Sequence, residues 1–303
     1  MPKDLVRKVR RIELSTRRLV DRGVAGDYHS VFKGRGMEFA EVRPYQPGDD
    51  HRTLDWNVTA RLGEPYVKRF VEERDLTLML AVDVSGSMGF GSRAWVKREL
   101  AAELVALLSF AALRNQDRVG AALLGDGLEH FLPPRRRRSH VLRVVSEVLA
   151  RPSGGPTNLQ EGLDSLLNAL DRRVVLFILS DFLEASCERA LKAARRHDVV
   201  LLELLDPHDL EPPRTPPVVL EDAETGRRGL FGRGPWATGW LPRPLRPGNS
   251  PAEQLAARRR RHRLELQKRA RSLGLDHVTL WTHRPYLPPL LAFFEARRRR
   301  LSR

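Results

Sequence analysis

From Asp75 onward the chain alternates between two kinds of apolar pattern. Leu76–Val84, Arg118–Leu124, Val174–Leu179, Val199–Leu205 and His277–Trp281 are short runs dominated by aliphatic residues. Ala94–Leu113, Ser139–Leu149, Leu159–Leu170, Cys187–His197, Ala252–Leu273 and Leu287–Arg299 are longer, with apolar residues recurring every three or four positions. The first pattern predicts strands buried on both faces and the second predicts helices. Leu128–Leu132 follows its neighbour closely enough to pair with it. Strands that alternate with helices imply a mainly parallel sheet covered on both sides. The predicted class is therefore α/β, a Rossmann-like doubly wound sheet.

The residues before this alternation read differently. Asp4–Asp21 is a basic amphipathic helix with Leu5, Val9, Ile12 and Leu19 on one stripe. Glu38–Tyr45 and Pro65–Glu72 are strand-like and flank a turn at Pro47–Asp50 and a short polar helix near His51–Arg61. Residues 1–74 are thus expected to form an N-terminal helix and β-containing extension, and residues 75–303 the α/β domain. A Pro/Gly-rich insertion at about 207–250 interrupts the rhythm, with Val218–Glu221 and Gly229–Phe231 flanking Asp222–Arg228 as a hairpin.

Composition narrows the classes. The apolar share of 41% supports a packed core. The run from Leu100 to Leu113 is broken by Glu103 and too short to span a bilayer. The first eighteen residues carry no apolar core of a signal peptide. The single Cys187 excludes an intrachain disulfide and suits a reducing compartment, as a buried, unreactive thiol. These features set the expectation of a cytoplasmic protein.

The net charge of +15 is carried mostly by arginine, with clusters at Arg135–Arg138, Arg258–Arg261 and Arg297–Arg300. No cluster is interleaved with aromatics, and no helix-turn-helix, zinc-finger or RNA-binding signature is present, so nucleic acid is disfavoured as a partner. The basic first helix could touch a membrane surface peripherally, although packing on the protein body is the commoner use of such a helix.

Candidate chemistry lies at the predicted strand ends, where open parallel sheets bind ligands. The first strand of the sheet runs into Asp83-x-Ser85-x-Ser87, and Gly86 and Gly89 turn the chain there. Val174–Leu179 runs into Ser180-Asp181, and SGGPTNL at residues 153–159 offers the hydroxyl of Thr157 before a helix. Two carboxylates and three hydroxyls form a hard oxygen set suited to Mg²⁺, with Mn²⁺ or Ca²⁺ as alternatives, rather than zinc or copper. A cation held largely by neutral hydroxyls keeps positive charge and could dock an acidic group. Taken alone, D-x-S-x-S could equally be a turn whose hydroxyls cap backbone groups. Asp83→Ala is expected to abolish binding with the fold intact, because the carboxylate reads as part of a solvent-facing loop.

Asp83, Ser85, Ser87, Thr157 and Asp181 together resemble the metal-ion-dependent adhesion site of von Willebrand factor A domains. That resemblance implies the same doubly wound fold, with the hydroxyls as direct or near-direct metal ligands and the aspartates acting directly or through water. The upstream block GRGMEFAEVRPYQPGDDHRTLDWNVTAR, followed by PYVKRFVEERDLTLML, resembles the bacterial domain-of-unknown-function 58 family. The family resemblance implies a MoxR-type AAA+ ATPase as partner and a role in protein assembly or maturation. Within the block, Arg43, Tyr45, Asp49, Asp50, Arg52, Asp55, Trp56 and Arg61 are candidate docking residues. They could equally staple the extension together as a charge network, reaching to Lys68, Arg69, Glu72 and Glu73, with Tyr45 and Trp56 packed as anchors.

The expectation is a non-enzymatic, metal-dependent interaction module. The alternatives are a metal-dependent hydrolase and a basic nucleic-acid-binding protein. Hydrolysis is disfavoured because the serines do not fit a nucleophile elbow, and His51, His130, His140 and His208 are candidate bases by composition alone.

Overall fold

The computed structural model describes residues 3–32, 37–72, 76–92, 95–151, 157–183, 187–211, 218–221, 228–231 and 251–301. The chain forms two compact units, one of Met1–Val31 with Thr77–Arg303 and one of Phe32–Leu76. The first 31 residues therefore group with the α/β unit rather than with the extension that the 1–74 boundary placed them in.

The larger unit is built on a six-stranded sheet. Its strands are β3 (Thr77–Asp83), β4 (Arg118–Gly125), β5 (Gly127–Arg135), β6 (Val175–Ser180), β7 (Asp198–Leu205) and β10 (Asp276–Trp281), ordered β10-β7-β6-β3-β4-β5. All neighbours are parallel except β4 and β5, which form an antiparallel hairpin at one edge. The nearly unbroken burial of β3, β4, β6 and β7 explains their aliphatic sequences, since both faces are covered. On one face Met79, Ala81, Ala122, Leu124, Leu176, Ile178 and Leu201 pack with α6 (Leu159–Asn168), α7 (Glu188–Ala194) and α9 (Pro251–Leu273). The alternate residues Leu78, Leu80 and Val82 point to the other face, where α4 (Lys97–Arg114) lies against β3, β4 and β7.

Helix α4 is buried almost all round, because α1 (Lys3–Leu19), α2 (Ala25–Val31) and α5 (Arg138–Ala150) pack against it in turn. The predicted first helix thus packs on the protein body. Between α1 and α2 a tight turn, Val20–Val24, bends at Gly23, whose φ of 131° favours glycine. Sequence periodicity missed α2, since Gly26 and Asp27 disguise a helix held by its buried face of Ala25, Tyr28 and Val31.

Helix α9 meets the sheet through a polar cluster as well as apolar contact. Glu203 on β7, 1% exposed, accepts hydrogen bonds from Arg263 of α9 (Nε, 3.1 Å) and from Thr279 of β10 (Oγ1, 2.7 Å). Helix α10 (Leu287–Leu301) is tied down by Arg297, which pairs with Asp198 and Asp276. Among the clustered arginines, Arg138 pairs with Glu13, and Arg297 and Arg300 both pair with Asp276 of the edge strand β10, so part of the excess charge is used internally.

The 207–250 boundary needs one correction. Asp206 caps a short helix, α8 (Pro207–Leu210), with a capping box to Asp209, so the first residues of the supposed insertion belong to the core of the sheet's edge. The hairpin strands are present as β8 (Val218–Glu221) and β9 (Arg228–Phe231), paired antiparallel, while the connection at 222–227 and the Pro/Gly-rich stretch 232–250 lie outside the described residues. Among the described residues no helix is long and apolar enough to cross a membrane.

The smaller unit pairs β1 (Met37–Pro44) with β2 (Tyr66–Glu72) antiparallel, joined through a 3₁₀ turn at His51–Thr53 and α3 (Trp56–Leu62). Asp55 caps α3 by accepting from the Asn57 and Val58 N–H groups.

Candidate functional site

The strand order reverses at β3. The chain proceeds from β3 to β4 and β5 on one side and then returns to place β6, β7 and β10 on the other. The C-terminal ends of β3 and β6 therefore frame the topological switch point, the place where this architecture binds ligands. Asp83 is the last residue of β3, and Asp181 directly follows β6.

Both carboxylates are deeply buried, Asp83 at 1% and Asp181 at 5% exposure. Asp83 accepts from the Ser85 N–H at Oδ1 (2.9 Å) and from the Ser180 hydroxyl at Oδ2 (2.6 Å). The second contact joins β3 to β6 across the switch point. Ser85 and Ser87 place their hydroxyl oxygens 3.2 Å apart, and Ser87 also hydrogen-bonds Asp181. A short 3₁₀ turn, Gly86–Gly89, carries Ser87 back toward the strand ends, with Met88 buried beneath it. Beyond Asp181, Phe182 adopts φ 48°, a left-handed conformation that costs a non-glycine residue about 1–3 kcal/mol. Its N–H donates to Ser180 Oγ (3.0 Å), and the Leu183 N–H donates to Asp181 Oδ1 (3.3 Å).

Thr157 lies one residue before Asn158, whose N–H donates to the Gly125 carbonyl at the end of β4 (2.8 Å). β4 neighbours β3, with Leu124 opposite Asp83, so Thr157 stands at the same edge of the sheet. The glycine loop before it, residues 152–156, lies outside the described residues. The structure thus brings Asp83, Ser85, Ser87 and Asp181 into one hydrogen-bonded group and puts Thr157 on the same rim.

The site contains a cation the sequence reading did not foresee. Lys97, the first residue of α4, is 1% exposed and its Nζ lies 2.6 Å from Asp181 Oδ2 and 3.2 Å from Asp209. Burial works to raise the Asp181 carboxyl, and the Lys97 ammonium beside it more than offsets this, so Asp181 sits below the ordinary carboxylate range. Among the described residues Asp83 has no such partner. Burial, aided by the Asp181 charge, pushes it up to about 6. Asp209 is raised by burial despite its contact with Lys97.

A second unforeseen hub is Asp206, fully buried after β7. It accepts from the Ser92 N–H (2.9 Å) and hydroxyl (2.6 Å), the Thr282 hydroxyl (2.6 Å) and the His208 N–H (3.0 Å). It thereby fastens the loop after Ser87 to the ends of β7 and β10. Asp206 was legible, since it follows a strand as Asp83 and Asp181 do. Lys97 was not, because Lys-Arg-Glu at a helix start reads as a solvated turn.

Two expectations need correction. Asp83 is not on a solvent-facing loop, so truncating it strands the Ser180 hydroxyl and Ser85 N–H in the interior. In the extension, Trp56 is 70% and Tyr45 36% exposed, so neither is a packed anchor. There Arg43 holds Asp49 through two hydrogen bonds (2.6 and 2.8 Å), Asp50 caps the 3₁₀ turn, and Asp55 pairs with Lys68 (3.4 Å). These four predicted docking residues build the unit, while Tyr45, Arg52, Trp56 and Arg61 are exposed. The side chains of Arg69, Glu72 and Glu73 lie outside the described residues.

Among the described residues no histidine is a hydrogen-bond partner of Asp83, Ser85, Ser87 or Asp181. Cys187 is buried at the start of α7, and desolvation pushes its thiol up to about 12, an unreactive state.

The family described as protein of unknown function DUF58 matches residues 41–235. Two relatives share 34% identity over 300 residues, covering 97% of this chain and 90% of each relative: uncharacterized protein Rv1480 of Mycobacterium tuberculosis and uncharacterized protein Mb1516 of Mycobacterium bovis. Uncharacterized protein MAV169 of Mycobacterium avium is 32% identical over 167 residues, 54% of this chain and 90% of the relative. Among solved structures, BatB of Bacteroides thetaiotaomicron aligns at TM-score 0.40 and 16% identity over 75% of this chain and 97% of its own. The SpRpn10 VWA domain aligns at TM-score 0.39 and 14% identity over 72% of this chain and 93% of its own.

Proposed function

The chain belongs to the DUF58 family, and from that premise and the residues at its switch point we propose a metal-dependent protein-interaction module without enzymatic activity. The observation that carries the reading is the group of buried Asp83, Ser85 and Asp181 with half-buried Ser87 at the carboxyl ends of β3 and β6. Its donors are all oxygen. The two carboxylates repel each other, and the two serine hydroxyls lie side by side, which fits a hard cation bound by few protein carboxylates. Among the described residues no three His, Cys, Asp or Glu side chains form a metal-holding group, so any cation here relies on the hydroxyls.

Ser85, Ser87, Asp83 and Asp181 would hold the ion, with Thr157 joining from the rim. A Mg²⁺ held there would supply residual positive charge for an acidic group on the partner. The protein's own residues provide the rest: Ser180 and the Ser85 N–H orient Asp83, Ser87 orients Asp181, and Asp206 fixes the loop. Among the described residues no histidine hydrogen-bonds the serines of this group, which favours binding over hydrolysis. The resemblance noted above supplies the candidate partner, a MoxR-type AAA+ ATPase.

The test is affinity capture of that ATPase in Mg²⁺ and in EDTA, with wild type and Asp83→Asn. Capture by wild type in Mg²⁺ alone is the expected result. Equal capture in every lane would refute the metal-dependent mechanism. In parallel, Mg²⁺ should raise the wild-type Tm by mass action and leave that of Asp83→Asn unchanged.

A further inference from the structure

We propose that Lys97 is a positioning residue that sets the affinity of the switch-point site for a divalent cation, by committing Asp181 to an internal ion pair. This inference rests on the metal-site reading above. Two aspartates that look equivalent in the sequence are unequal in the fold. Among the described residues Asp83 is met by neutral donors, the Ser85 N–H and the Ser180 and Ser85 hydroxyls, whereas Asp181 receives an ammonium at 2.6 Å. Lys97 is 1% exposed and its backbone N–H is tied to the Phe90 carbonyl (3.0 Å), so its position is fixed by the loop that carries Ser85 and Ser87. The Phe90 ring stands 6.0 Å from the ammonium.

A buried ammonium persists only where carboxylates compensate it, and Lys97 divides itself between Asp181 and Asp209. The fraction given to Asp181 lowers the negative charge a cation meets at the site. The cation is then held less tightly but keeps more of its own charge for an acidic ligand. Asp209 is the counterweight, because it draws the ammonium away from Asp181. Opposite signs follow for the two removals. Loss of Asp209 leaves the ammonium wholly on Asp181 and weakens cation binding. Loss of Lys97 frees Asp181 and tightens it.

The experiment titrates Mg²⁺ by calorimetry and Mn²⁺ by electron paramagnetic resonance on the full chain. The proteins are wild type, Asp209→Asn, Lys97→Arg and the double variant Lys97→Met/Asp209→Asn, which avoids leaving two buried carboxylates unpaired. An opposite charge at this range shifts an ionic equilibrium by about 1–3 log units, so the double variant should bind at least about tenfold tighter than wild type. Asp209→Asn should bind severalfold weaker, and Lys97→Arg should stay near wild type. A purely structural lysine would give weaker binding in both Lys97 and Asp209 variants. A folded double variant that binds no tighter than a metal-binding wild type overturns this inference and leaves the metal site standing. Absence of binding in wild type and double variant alike overturns both readings. If the double variant does not fold, the sign for Asp209→Asn decides: unchanged or tighter binding overturns the proposal.

Discussion

Asp83 sets an unfavourable buried charge against favourable hydrogen bonds. Its ionised form is disfavoured by burial and by Asp181, yet its oxygens satisfy two buried donors. Asp83→Ala should therefore lose about 1–3 kcal/mol in urea denaturation, the usual cost of unsatisfied buried groups. Asp83→Asn keeps one of the two acceptors and removes the repulsion, so it should lose less stability than Asp83→Ala while losing the cation. Buried His197 gives a separate pH signature. Desolvation, with the nearby Arg196 and Arg173 charges, lowers its pKa to about 4, and its ring nitrogens face the Val174 and Arg196 N–H groups. A base depressed in the folded state contributes stability that is full above its unfolded pKa near 6.5 and is lost as pH falls toward 4. Thermal unfolding across that window should show a decline that is flatter in His197→Gln.

At the scale of elements, the loop between β3 and α4 decides whether the site exists. Predicted from Ala94, the helix begins at Lys97, and the intervening residues close the loop on themselves through the Phe90 carbonyl and the Lys97 N–H. Gly91 allows that closure, since a Cβ there would lie 2.2 Å from the Trp95 carbonyl oxygen. Gly91→Ala must displace backbone, moving Ser92 from Asp206. Expected results are a loss of about 1–3 kcal/mol, as for overpacking, and weaker Mg²⁺ binding by calorimetry. The helix and strand periods themselves were legible from apolar spacing. The short helices α2 and α8 were not, because their stability comes from tertiary burial and capping rather than from length.

At the scale of the molecule, the two units differ in what holds them. The sheet of the larger unit has an apolar core on one face and α4 on the other, whereas the described buried side chains of Phe32–Leu76 are few, with Phe32, Asp55 and Val67 among them. Hydrogen exchange should reflect this. Amides of β3, β6 and β7 should exchange only through global opening, and those of β1 and β2 through a cheaper local one. Equal protection in both units would contradict that division. The +15 charge was correctly visible in composition, but its disposition was not, since pairings such as Arg297 with Asp198 and Asp276 join residues far apart in the chain.

The sequence by itself determined the α/β alternation, the parallel sheet and the oxygen-rich residues at its strand ends. Local periodicity and strand-end position carry that information, and both are properties of neighbouring residues. Only the tertiary structure decided that Asp83 is interior, that Lys97 crosses to Asp181 and Asp209, and that Asp206 gathers donors from three separate segments. Those outcomes depend on burial and on charges brought together across more than 80 residues of chain, as in the Lys97–Asp181 pair, and no local pattern encodes them.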